Sequence, residues 1–459
     1  MKETLDSYFS ALKGKHVAVL GIGVSNRPLI RLLLSYGISV TACDKTPREA
    51  LDEEVLELER AGAVLHVGPD YLEGLCADVV FRTPGMHPEN PALVRLREQG
   101  SVITSEMEAF FQVCPCEIFA VTGSDGKTTT TTLIAEILKK AGRTVWVGGN
   151  IGQPLLPLAG QMQPDDLAVV ELSSFQLMDM THSPRVAVVT NLAPNHLDIH
   201  KDMDEYIHAK EQIFRFQHQG DKLVLNYDND ITRGFADRAP GAVQFFSRTA
   251  QPAGGVWLEG DTVYLHGTPI LTRRDILLPG IHNVENYMAA ICAVEGYAAP
   301  EDIRAVAQTF GGVEHRIELV RELDGVRYYN DSIASSPTRT IAGLHSFSEQ
   351  VILIAGGYDK HISFAPLGPE ITSHVRLLIL CGATAGKIRD AVTAAPDYAP
   401  GHPEMVEVTT LAEAVAYARA HSHSGDVVLL SPACAAFDQF KNFMVRGETF
   451  KTLVRQLEG

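Results

Sequence analysis

The chain has 459 residues, a length that fits about three domains of roughly 150 residues each. It carries 39 Lys and Arg residues against 56 Asp and Glu residues, and the resulting net charge of −17 argues against a broad nucleic-acid-binding surface. The N-terminus has no apolar segment of the signal-peptide kind, and the apolar runs elsewhere are too short to cross a bilayer. We therefore expect a cytoplasmic protein, and its seven scattered cysteines are expected to be buried free thiols.

Short runs of Val, Ile and Leu alternate with helical patterns along almost the whole chain. This alternation predicts an α/β protein whose sheets are mainly parallel and covered on both faces. Three blocks of this kind follow one another, and the second and third begin near residues 113 and 314. We expect a Rossmann-like N-terminal domain, a P-loop central domain and a Rossmann-like C-terminal domain.

The first block opens with KHVAVLGIGVSNRPLIRLLLSYG, which is typical of a nucleotide-binding βαβ unit. Gly21 and Gly23 lie at the predicted turn, and Asp44 ends the next predicted strand. The GxGxxG fingerprint is incomplete because Asn26 stands at the position of the third glycine. This motif alone leaves a nucleotide site and a plain tight turn as equal alternatives.

The second block carries VTGSDGKTTTTT, residues 121–132, between an apolar strand pattern and a helical pattern. Glycines let backbone N–H groups approach an anion, and the positive end of the following helix adds to the attraction. Lys127 would reach the terminal phosphates, and the Thr128 hydroxyl would bind Mg²⁺. The loop is short, since Val121 stands where GxxxxGK[ST] has its first glycine and Gly123 comes two residues later. A glycine turn before a Thr-rich helix is the alternative, and the order of strand, turn and helix favours the nucleotide site.

Further acidic and imidazole side chains follow two other predicted strands of this block. Glu171 ends the apolar run LAVVE, where its carboxylate would lie at the carboxyl edge of a parallel sheet and bind Mg²⁺. Asn191, His196 and Asp198 follow the next strand, and we favour a metal role for them over a purely structural histidine. An acid paired with a neighbouring base is the alternative for Glu171.

Lys210 lies in DEYIHAKEQIF, which has a helical pattern with Tyr206 one turn earlier. Charged residues on helices are usually solvated. Periodicity alone therefore assigns Lys210 no function.

Four polar positions of the third block are candidates for ligand contacts. His315 and Arg316 lie at the predicted domain junction, where an arginine fork could grip a phosphate on domain closure or form an interdomain salt bridge. Asp331, in YYNDSIASSP, could bind a ribose hydroxyl or cap the next helix. Ser431 begins SPACAAFDQFKNFMVRGETF, which would form a substrate wall or a packed corner between strand and helix.

Taken together, these segments resemble the Mur ligase family from about residue 15 to the C-terminus. TGSDGKT, ELSSFQL, NHLDIH, YIHAKEQIF, HNVENYMAA, EHR and NDSIASSP occur in that family in this order. The resemblance implies a UDP-substrate-binding domain over residues 1–112, a central ATP-binding domain over 113–313 and a C-terminal amino-acid-binding domain over 314–459. It also implies an ATP-dependent amide ligase of cytoplasmic peptidoglycan precursor synthesis that works through an acyl phosphate.

The segment SPACAAFDQFKNFMVRG and the absence of the DNPR motif of the diaminopimelate-adding relatives bear on the substrates. They imply UDP-N-acetylmuramoyl-L-alanine and D-glutamate, together with ATP. We expect no nucleic-acid partner, no membrane insertion and a monomer.

The resemblance also implies roles for individual residues. Catalytic roles fall on Lys127, Lys210, His196 and His315. ATP contacts fall on Gly123, Ser124, Asp125, Gly126, Lys127, Thr128, Thr129, Asn283, Asn286, Arg316 and Asp331. Two Mg²⁺ ions would be bound by Thr128, Glu171, His196 and a carbamylated Lys210, a modification that reverses the interpretation of this lysine as functionless. The UDP substrate would contact Val24, Ser25, Asp44, Lys45, Thr83, Gly85 and Asn150, and D-glutamate would contact Lys360, Ser335 and Phe443.

The sequence departs from some relatives near the predicted amino-acid site. Ile333 stands where they have Lys, Ser335 where they have Thr, and Ala436 where they have Ser. Because the Lys-to-Ile change removes a cation, Lys360 and backbone N–H groups would bind the D-glutamate carboxylates without it.

Two classes of alternative function stay open. One is another amide ligase of this architecture, such as a different Mur ligase or folylpolyglutamate synthetase, although the folate enzyme lacks an opening domain of this kind. The other is a nucleotide-dependent binding or switch protein, which would bind ATP without ligation. A dehydrogenase leaves residues 121–132 unexplained.

Overall fold

The computed structural model describes residues 3–23, 25–194, 200–359 and 362–458. Three sheets of five, nine and six strands alternate with helices, which confirms the predicted α/β class. The chain divides into two compact units, Met1–Asp275 with Val284–Ala307 and Ile276–Asn283 with Gln308–Gly459. The first two sheets lie in the first unit and the third sheet in the second, while the three domain boundaries expected from the sequence stay a prediction.

The first sheet is fully parallel, with the strand order β3-β2-β1-β4-β5. Its strands are β1 His16–Leu20, β2 Ser39–Asp44, β3 Val64–Val67, β4 Val79–Phe81 and β5 Val102–Thr104. Its helices are α1 Leu5–Ala11, α2 Asn26–Ser35, α3 Glu53–Arg60, α4 Pro91–Glu98 and α5 Glu106–Val113. The strand order reverses between β1 and β4, and ligands of such sheets bind at the carboxyl ends of the strands at this point.

The turn from β1 to α2 depends on one glycine and one asparagine. Gly21 has φ +86°, and a Cβ there would come within 3.1 Å of Thr83 Cβ. The buried Asn26 side chain donates from Nδ2 to the carbonyl oxygens of Leu20 and Gly21, at 3.2 and 2.8 Å. The residue that breaks the GxGxxG pattern therefore secures the turn by hydrogen bonds.

The second sheet has the order β14-β13-β12-β11-β10-β9-β6-β8-β7 and is parallel except for two antiparallel pairings at its far edge. Its strands are β6 Glu117–Thr122, β7 Val145–Gly149, β8 Leu167–Glu171, β9 Val186–Val189, β10 Lys222–Asn226, β11 Ala242–Ser247, β12 Val256–Glu259, β13 Thr262–Leu265 and β14 Thr268–Thr272. The helices of this region are α6 Lys127–Lys140, α7 Ser174–Leu177, α8 Met203–Arg215, α9 Asp230–Gly234, α10 Ile281–Val294 and α11 Pro300–Ala307.

The first two sheets share one hydrophobic core. Val17 of β1 and Phe110 of α5 belong to the same buried cluster as Ile118 of β6. Leu155 and Leu156 precede or begin a short 3₁₀ turn and are fully buried in this cluster as well. The two sheets are therefore packed around one continuous core within the first unit.

Arg82 links the end of β4 to the segment after β8. Its side chain is fully buried, and its Nε donates to Asp179 Oδ2 at 2.9 Å while Nη2 donates to Asp179 Oδ1 and, at 3.0 Å, to the Phe175 carbonyl oxygen. Nη1 donates to the Met86 carbonyl oxygen at 2.9 Å. The guanidinium charge is therefore paired in a two-pronged ion pair that joins the elements of two sheets.

The third sheet has the order β15-β16-β20-β17-β18-β19 and is parallel except for the pair β15 and β16. Its strands are β15 Glu318–Leu323, β16 Val326–Asn330, β17 Val351–Ala355, β18 Val375–Leu380, β19 Glu404–Glu407 and β20 Val427–Leu430. Its helices are α12 Pro337–Leu344, α13 Leu367–His374, α14 Ala385–Thr393, α15 Leu411–Ala420 and α16 Phe443–Arg455. Leu353 of β17 packs into one core and its neighbours Ile352 and Ile354 into another, so both faces of the sheet are covered.

Two sequence expectations concern cysteines and membrane spans. Five cysteines are buried (Cys43, Cys114, Cys116, Cys292 and Cys434), while Cys381 is partly buried and Cys76 is exposed. Burial therefore holds for most of the thiols and fails for Cys76. Across the described ranges, no helix combines the length and apolar character that crossing a membrane requires.

We expect Arg82→Met to lower the free energy of unfolding of the first unit by about 3 kcal/mol, because Asp179 and the Phe175 carbonyl lose their charged donor. Both tryptophans of the chain, Trp146 and Trp257, lie in this unit, so urea unfolding followed by tryptophan fluorescence measures the loss. Arg31→Met is the control, since it removes only exposed ion pairs, to Glu54 and Glu57, and should cost less than about 1 kcal/mol. Equal costs for the two variants would contradict the linking role.

Candidate functional site

The loop between β6 and α6 has the backbone shape of an anion cradle. Gly123 has φ +147° and Gly126 has φ +77°, both in the region that favours glycine. A Cβ at Gly126 would overlap Asn286 Oδ1, and one at Gly123 would overlap Thr190 Oγ1. The loop thus takes the strand, turn and helix order that the sequence predicted, with α6 beginning at Lys127.

Side chains on both sides hold this loop in place. Lys127 Nζ donates to the carbonyl oxygens of Gly123 and Ser124, at 3.0 and 2.8 Å. The Asp125 backbone N–H donates to Asn191 Oδ1 at 2.9 Å, so Asn191 braces the loop from the end of β9. The side chain of Lys127 therefore lies over the loop.

Glu171 is a buried carboxylate at the end of β8, next to the loop in the sheet. Parallel pairing places it beside Val121, two residues before the first loop glycine. The residue is 1% exposed, and its Oε1 accepts a hydrogen bond from Asn150 Nδ2 at 2.7 Å. Its Oε2 is buried and has no hydrogen-bond partner among the described residues. Such an oxygen is costly unless a cation or a donor satisfies it.

Lys210 is buried on α8, and the interpretation of it as a solvated helical lysine is wrong. It is 1% exposed, and its Nζ donates to Thr122 Oγ1 at 3.1 Å and lies 5.0 Å from the centre of the Tyr206 ring. Burial lowers the pKa of Lys210 well below its usual value, the charge of Lys127 lowers it further, and Glu171 opposes the shift. Burial and the charge of Lys127 thus both favour the neutral form of Lys210, whose interaction partners include the carboxylate of Glu171.

These residues fit a divalent cation. The orphaned Glu171 oxygen and the buried hydroxyl-bearing Thr128, the second residue of α6, supply the hard oxygen ligands that Mg²⁺ prefers. His196 and Asp198, also predicted to bind metal, lie outside the described residues.

Thr122 and Tyr206 contact the site although the sequence analysis gave them no role. Thr122 accepts the hydrogen bond of Lys210, and the Tyr206 hydroxyl lies 3.0 Å from Ser124 Oγ. Tyr206 precedes Lys210 by four residues, so the two share a helix face. That spacing was a signal that the lysine faces the core rather than water.

The two asparagines predicted to contact adenine lie one turn apart on α10. Asn286 Oδ1 accepts a hydrogen bond from Thr130 Oγ1 at 3.3 Å and lies against Gly126, so it borders the loop. Asn283 Nδ2 donates to the Pro279 carbonyl oxygen at 2.6 Å. The predicted ligand roles of both stay predictions.

The carboxyl ends of the first sheet bring together Gly21, Asp44 and Thr83. Asp44 accepts hydrogen bonds from the backbone N–H groups of Ile22 and Thr46, at 2.8 and 2.9 Å. Partial burial acts to raise the pKa of Asp44, but these hydrogen bonds outweigh burial and the pKa is lowered. An ionised carboxylate therefore fixes the turn at the point where the strand order reverses.

The other residues predicted to bind the UDP substrate are spread around that edge. Ser25 precedes α2, while Lys45 and Gly85 are exposed. Val24 lies outside the described residues. Asn150 lies at the second sheet instead, where its side chain donates a hydrogen bond to Glu171.

In the second unit, Asp331 and Ser431 follow the neighbouring strands β16 and β20. Ser431 Oγ donates to Asp331 Oδ2 at 2.7 Å, and burial raises the pKa of Asp331 to about 7. The next helix, α12, has Ser336 at its N-cap position. The alternative that Asp331 caps this helix is therefore wrong. The charge of Arg316 opposes the shift, so the two predicted ATP contacts interact with each other.

His315 is held in an unusual backbone conformation and is 5% exposed. Asn330 Nδ2 donates to its Nδ1 at 3.0 Å, which leaves the proton of the neutral ring on Nε2. Burial lowers the pKa of His315 and favours that neutral ring. The ring packs edge-on against Phe443, with the ring centres 5.9 Å apart. Two residues with predicted roles thus lie together.

Arg446 anchors the segment expected to form a substrate wall. It is buried on α16 and donates from Nη2 to the carbonyl oxygens of Ser332 and Cys434, at 2.8 and 3.0 Å. Arg446 was not predicted from the sequence, although its position between apolar residues of a helix was a signal. Ser335, whose N–H donates to the Ile333 carbonyl oxygen at 2.8 Å, lies in the neighbouring loop, and Lys360 lies outside the described residues.

Comparison with known proteins gives matches along the whole chain. The family described as the Mur ligase middle domain matches residues 121–294, and the Mur ligase glutamate ligase domain matches residues 315–434. The chain is 52% identical over 459 residues to a UDP-N-acetylmuramoylalanine–D-glutamate ligase of Clostridium novyi, with all of both chains covered. A protein of the same name from Acetivibrio thermocellus is 51% identical over 465 residues, again with full coverage of both.

A solved structure supports the fold alone. The UDP-N-acetylmuramate–alanine ligase of Thermotoga maritima gives a TM-score of 0.59 at 19% identity, over 96% of this chain and 99% of that one. The three-sheet architecture is thus shared with an enzyme whose sequence has diverged widely.

The raised pKa of Asp331 predicts a stability that depends on pH. Because the folded unit holds this proton up to about pH 7, whereas an unfolded Asp loses it near pH 4, stability should fall as the pH rises between these values. Asp331→Asn should remove the decline, and at pH 8 it should be more stable than the wild type by as much as about 4 kcal/mol. Hydrogen exchange of peptides from β16 and β20, compared at matched pH, measures the difference. The exposed Asp390→Asn serves as the control, and an equal response of both variants would contradict the assignment.

Proposed function

The chain belongs to the Mur ligase family, and from this we propose that it is an ATP-dependent, ADP-forming ligase that joins D-glutamate to UDP-N-acetylmuramoyl-L-alanine through a C–N bond in peptidoglycan precursor synthesis. The observation that carries the chemistry is the glycine loop of residues 123–126 beside a buried carboxylate and a buried lysine whose pKa is lowered. The choice of substrates rests on the names of the full-length relatives.

The proposed reaction has two steps. The L-alanyl carboxylate oxygen attacks the γ-phosphorus of ATP, the bond to the bridging oxygen breaks, and ADP leaves. The D-glutamate amine then attacks the carbonyl carbon of the acyl phosphate, phosphate leaves, and the nitrogen loses a proton. A carboxylate is a poor electrophile, so the first step makes the second possible, and the protein contributes mainly positioning and charge neutralisation.

We assign the ATP phosphates to the loop from Gly123 to Thr129. Backbone N–H groups there would bind the oxygens, and Lys127 would exchange the carbonyl oxygens of Gly123 and Ser124 for phosphate oxygens. Asn283 and Asn286 are proposed to contact adenine, Arg316 a phosphate and Asp331 the ribose. The family uses ATP and Mg²⁺, and a bound Mg²⁺ would neutralise phosphate charge. We assign one Mg²⁺ ion to Thr128 and Glu171 and a second ion to His196.

We propose that Lys210 is carbamylated. Its burial favours the neutral amine, which is the form that attacks CO₂; the new N–C bond gives a carbamate anion and releases one proton. The lysine side chain, which carries no negative charge as an amine, would thereby become an anion that helps to bind Mg²⁺. The proximity of the unpartnered Glu171 oxygen supports this proposal, because two anionic groups can share the metal charge.

We assign the remaining substrate contacts from the family pattern. Ser25, Asp44, Lys45, Thr83 and Gly85, with Val24 and Asn150, are proposed for the UDP substrate. Lys360, Ser335 and Phe443 are proposed for D-glutamate, and His315 is proposed to lie near the reacting carboxylate. A cytoplasmic location and a monomeric state stay predictions.

The substrate assignment is tested by phosphate release from Mg-ATP with UDP-N-acetylmuramoyl-L-alanine and, in turn, D-glutamate, L-glutamate, L-lysine or meso-diaminopimelate. We expect release with D-glutamate alone. Phosphate release with a different amine would support the proposed ligase mechanism and would show that D-glutamate is not the amino-acid substrate. Nucleotide binding without release for any amine would support a binding or switch protein instead.

Lys127→Ala should reduce kcat by about 10³-fold or more, because the transferring phosphate loses its cation. Phosphate release under saturating substrates measures the loss. Lys139→Ala is the matched control, since Lys139 lies on the same helix, is partly exposed and pairs with Glu136. Activity of Lys127→Ala near that of the control would remove the loop lysine from the mechanism.

Lys210→Ala should be inactive, and acetate or formate should restore part of the activity by supplying the missing carboxylate. The exposed Lys201→Ala should retain full activity and show no response to either acid. A ¹³C NMR signal of a carbamate in wild-type protein with ¹³CO₂, absent from Lys210→Ala, measures the modification directly. A full-activity enzyme without that signal would contradict carbamylation.

A further inference from the structure

A cluster of two histidines and one glutamate lies on the second unit, outside every site assigned above. His345 follows the last residue of α12, His374 ends α13, and Glu370 lies one turn earlier on α13. Glu370 Oε2 is 2.6 Å from His345 Nε2 and 3.6 Å from His374 Nδ1, and the two imidazole centres are 5.0 Å apart. Three potential ligand atoms, one from each residue, lie within 4.8 Å of one another.

We propose that this cluster, formed by His345, Glu370 and His374, is a binding site for a zinc-class transition-metal ion. Two imidazole nitrogens and one carboxylate oxygen form a ligand set that Zn²⁺ uses, with a water completing four-coordination. Zinc bonds of about 2.0–2.1 Å in a tetrahedron require ligand atoms roughly 3.4 Å apart. The distances of 2.6 and 3.6 Å to Glu370 Oε2 bracket that spacing, so side-chain adjustments of about 1 Å or less bring these two pairs into place. His374 Nδ1 also donates to the Glu370 carbonyl oxygen at 3.1 Å, so metal binding breaks this hydrogen bond and leaves the ring proton on Nε2.

The surroundings of the cluster also favour a cation. Both histidines lie at helix C-termini, where the partial negative charge of the last carbonyl groups stabilises positive charge. The side chains are between 30% and 52% exposed, which leaves an open path from solvent and freedom to adjust. A bound ion would hold the end of α12 to α13 and so stabilise the second unit.

A second cluster of similar composition gives a useful contrast. Glu314, His315 and Glu448 also bring ligand atoms within 4.8 Å of one another. Lys451 Nζ, however, lies 2.8 Å from both Glu314 and Glu448 and 3.1 Å from Glu318, and these carboxylates raise the pKa of Lys451 against the effect of burial. That cluster already has its cation, whereas no lysine or arginine ion pair to Glu370 is found among the described residues.

The test is zinc titration of the metal-free protein by calorimetry, in the absence of ATP. Wild type should bind one more Zn²⁺ than the double variant His345→Ala/His374→Ala, and Glu370→Gln should weaken this site by about 10-fold or more. His423→Ala is the matched control, because His423 is an exposed histidine of the same unit that faces Asp426 at 3.8 Å. Any zinc bound by the proposed catalytic residues contributes equally to all these proteins.

Thermal unfolding gives a second measurement that is independent of activity. Zinc at about 100 times Kd should raise the Tm of the second unit by several degrees in wild type and His423→Ala, and not in the double variant. Ni²⁺ and Cu²⁺ should bind the same site, and Mg²⁺ should not compete. Equal zinc stoichiometry and equal Tm shifts in wild type and a folded double variant would overturn the proposal. Should the double variant fail to fold, His345→Asn and His374→Asn replace it singly.

Discussion

The site in the first unit depends on an amine that the fold has removed from water. The hydrogen-bond partner of this buried lysine is a hydroxyl, which does not compensate the desolvation of an ammonium group, and burial therefore lowers the pKa of Lys210. Thr122, Tyr206 and Glu171 come from three elements, and all of them lie around this amine. The packing of α8 against β6 therefore bears on the chemistry, since it buries Lys210 and lowers its pKa. The Glu171 carboxylate, which interacts with this lysine, keeps one oxygen without a partner among the described residues.

The three sheets use the same position, an acid at the carboxyl end of a strand, in three different environments. Asp44 receives two backbone hydrogen bonds and stays ionised, so it can fix a turn. Glu171 has one satisfied and one orphaned oxygen and suits a metal ion. Asp331 is buried against Ser431, and its raised pKa allows it to donate a hydrogen bond as well as accept one near neutral pH. Local hydrogen bonding, rather than residue type, separates these roles.

The sequence predicted the features that depend on short segments. The strand before the loop, the loop itself and the strand-end position of Glu171 follow from local patterns, and all three are found. Periodicity did not predict the burial of Lys210, because it describes only the pattern of residues within one helix. The contact that buries this lysine comes from Thr122 on the neighbouring strand β6. Arg82 was not recognised, since its partner Asp179 is 97 residues away in the chain. Asn26 only made the glycine motif incomplete in the sequence, because a sequence pattern does not show that its side-chain amide donates hydrogen bonds to the turn.

The hydrophobic core shared by the first two sheets limits how this chain can be divided or recombined. A fragment that began at residue 121, where the middle-domain family match starts, would lack Phe9 and Phe110 and leave Leu155 and Leu156 facing water. Exposed apolar clusters of this kind promote aggregation. When segments are exchanged between relatives, by evolution or in the laboratory, the first two sheets should therefore be transferred together, although the sequence predicts a domain boundary between them.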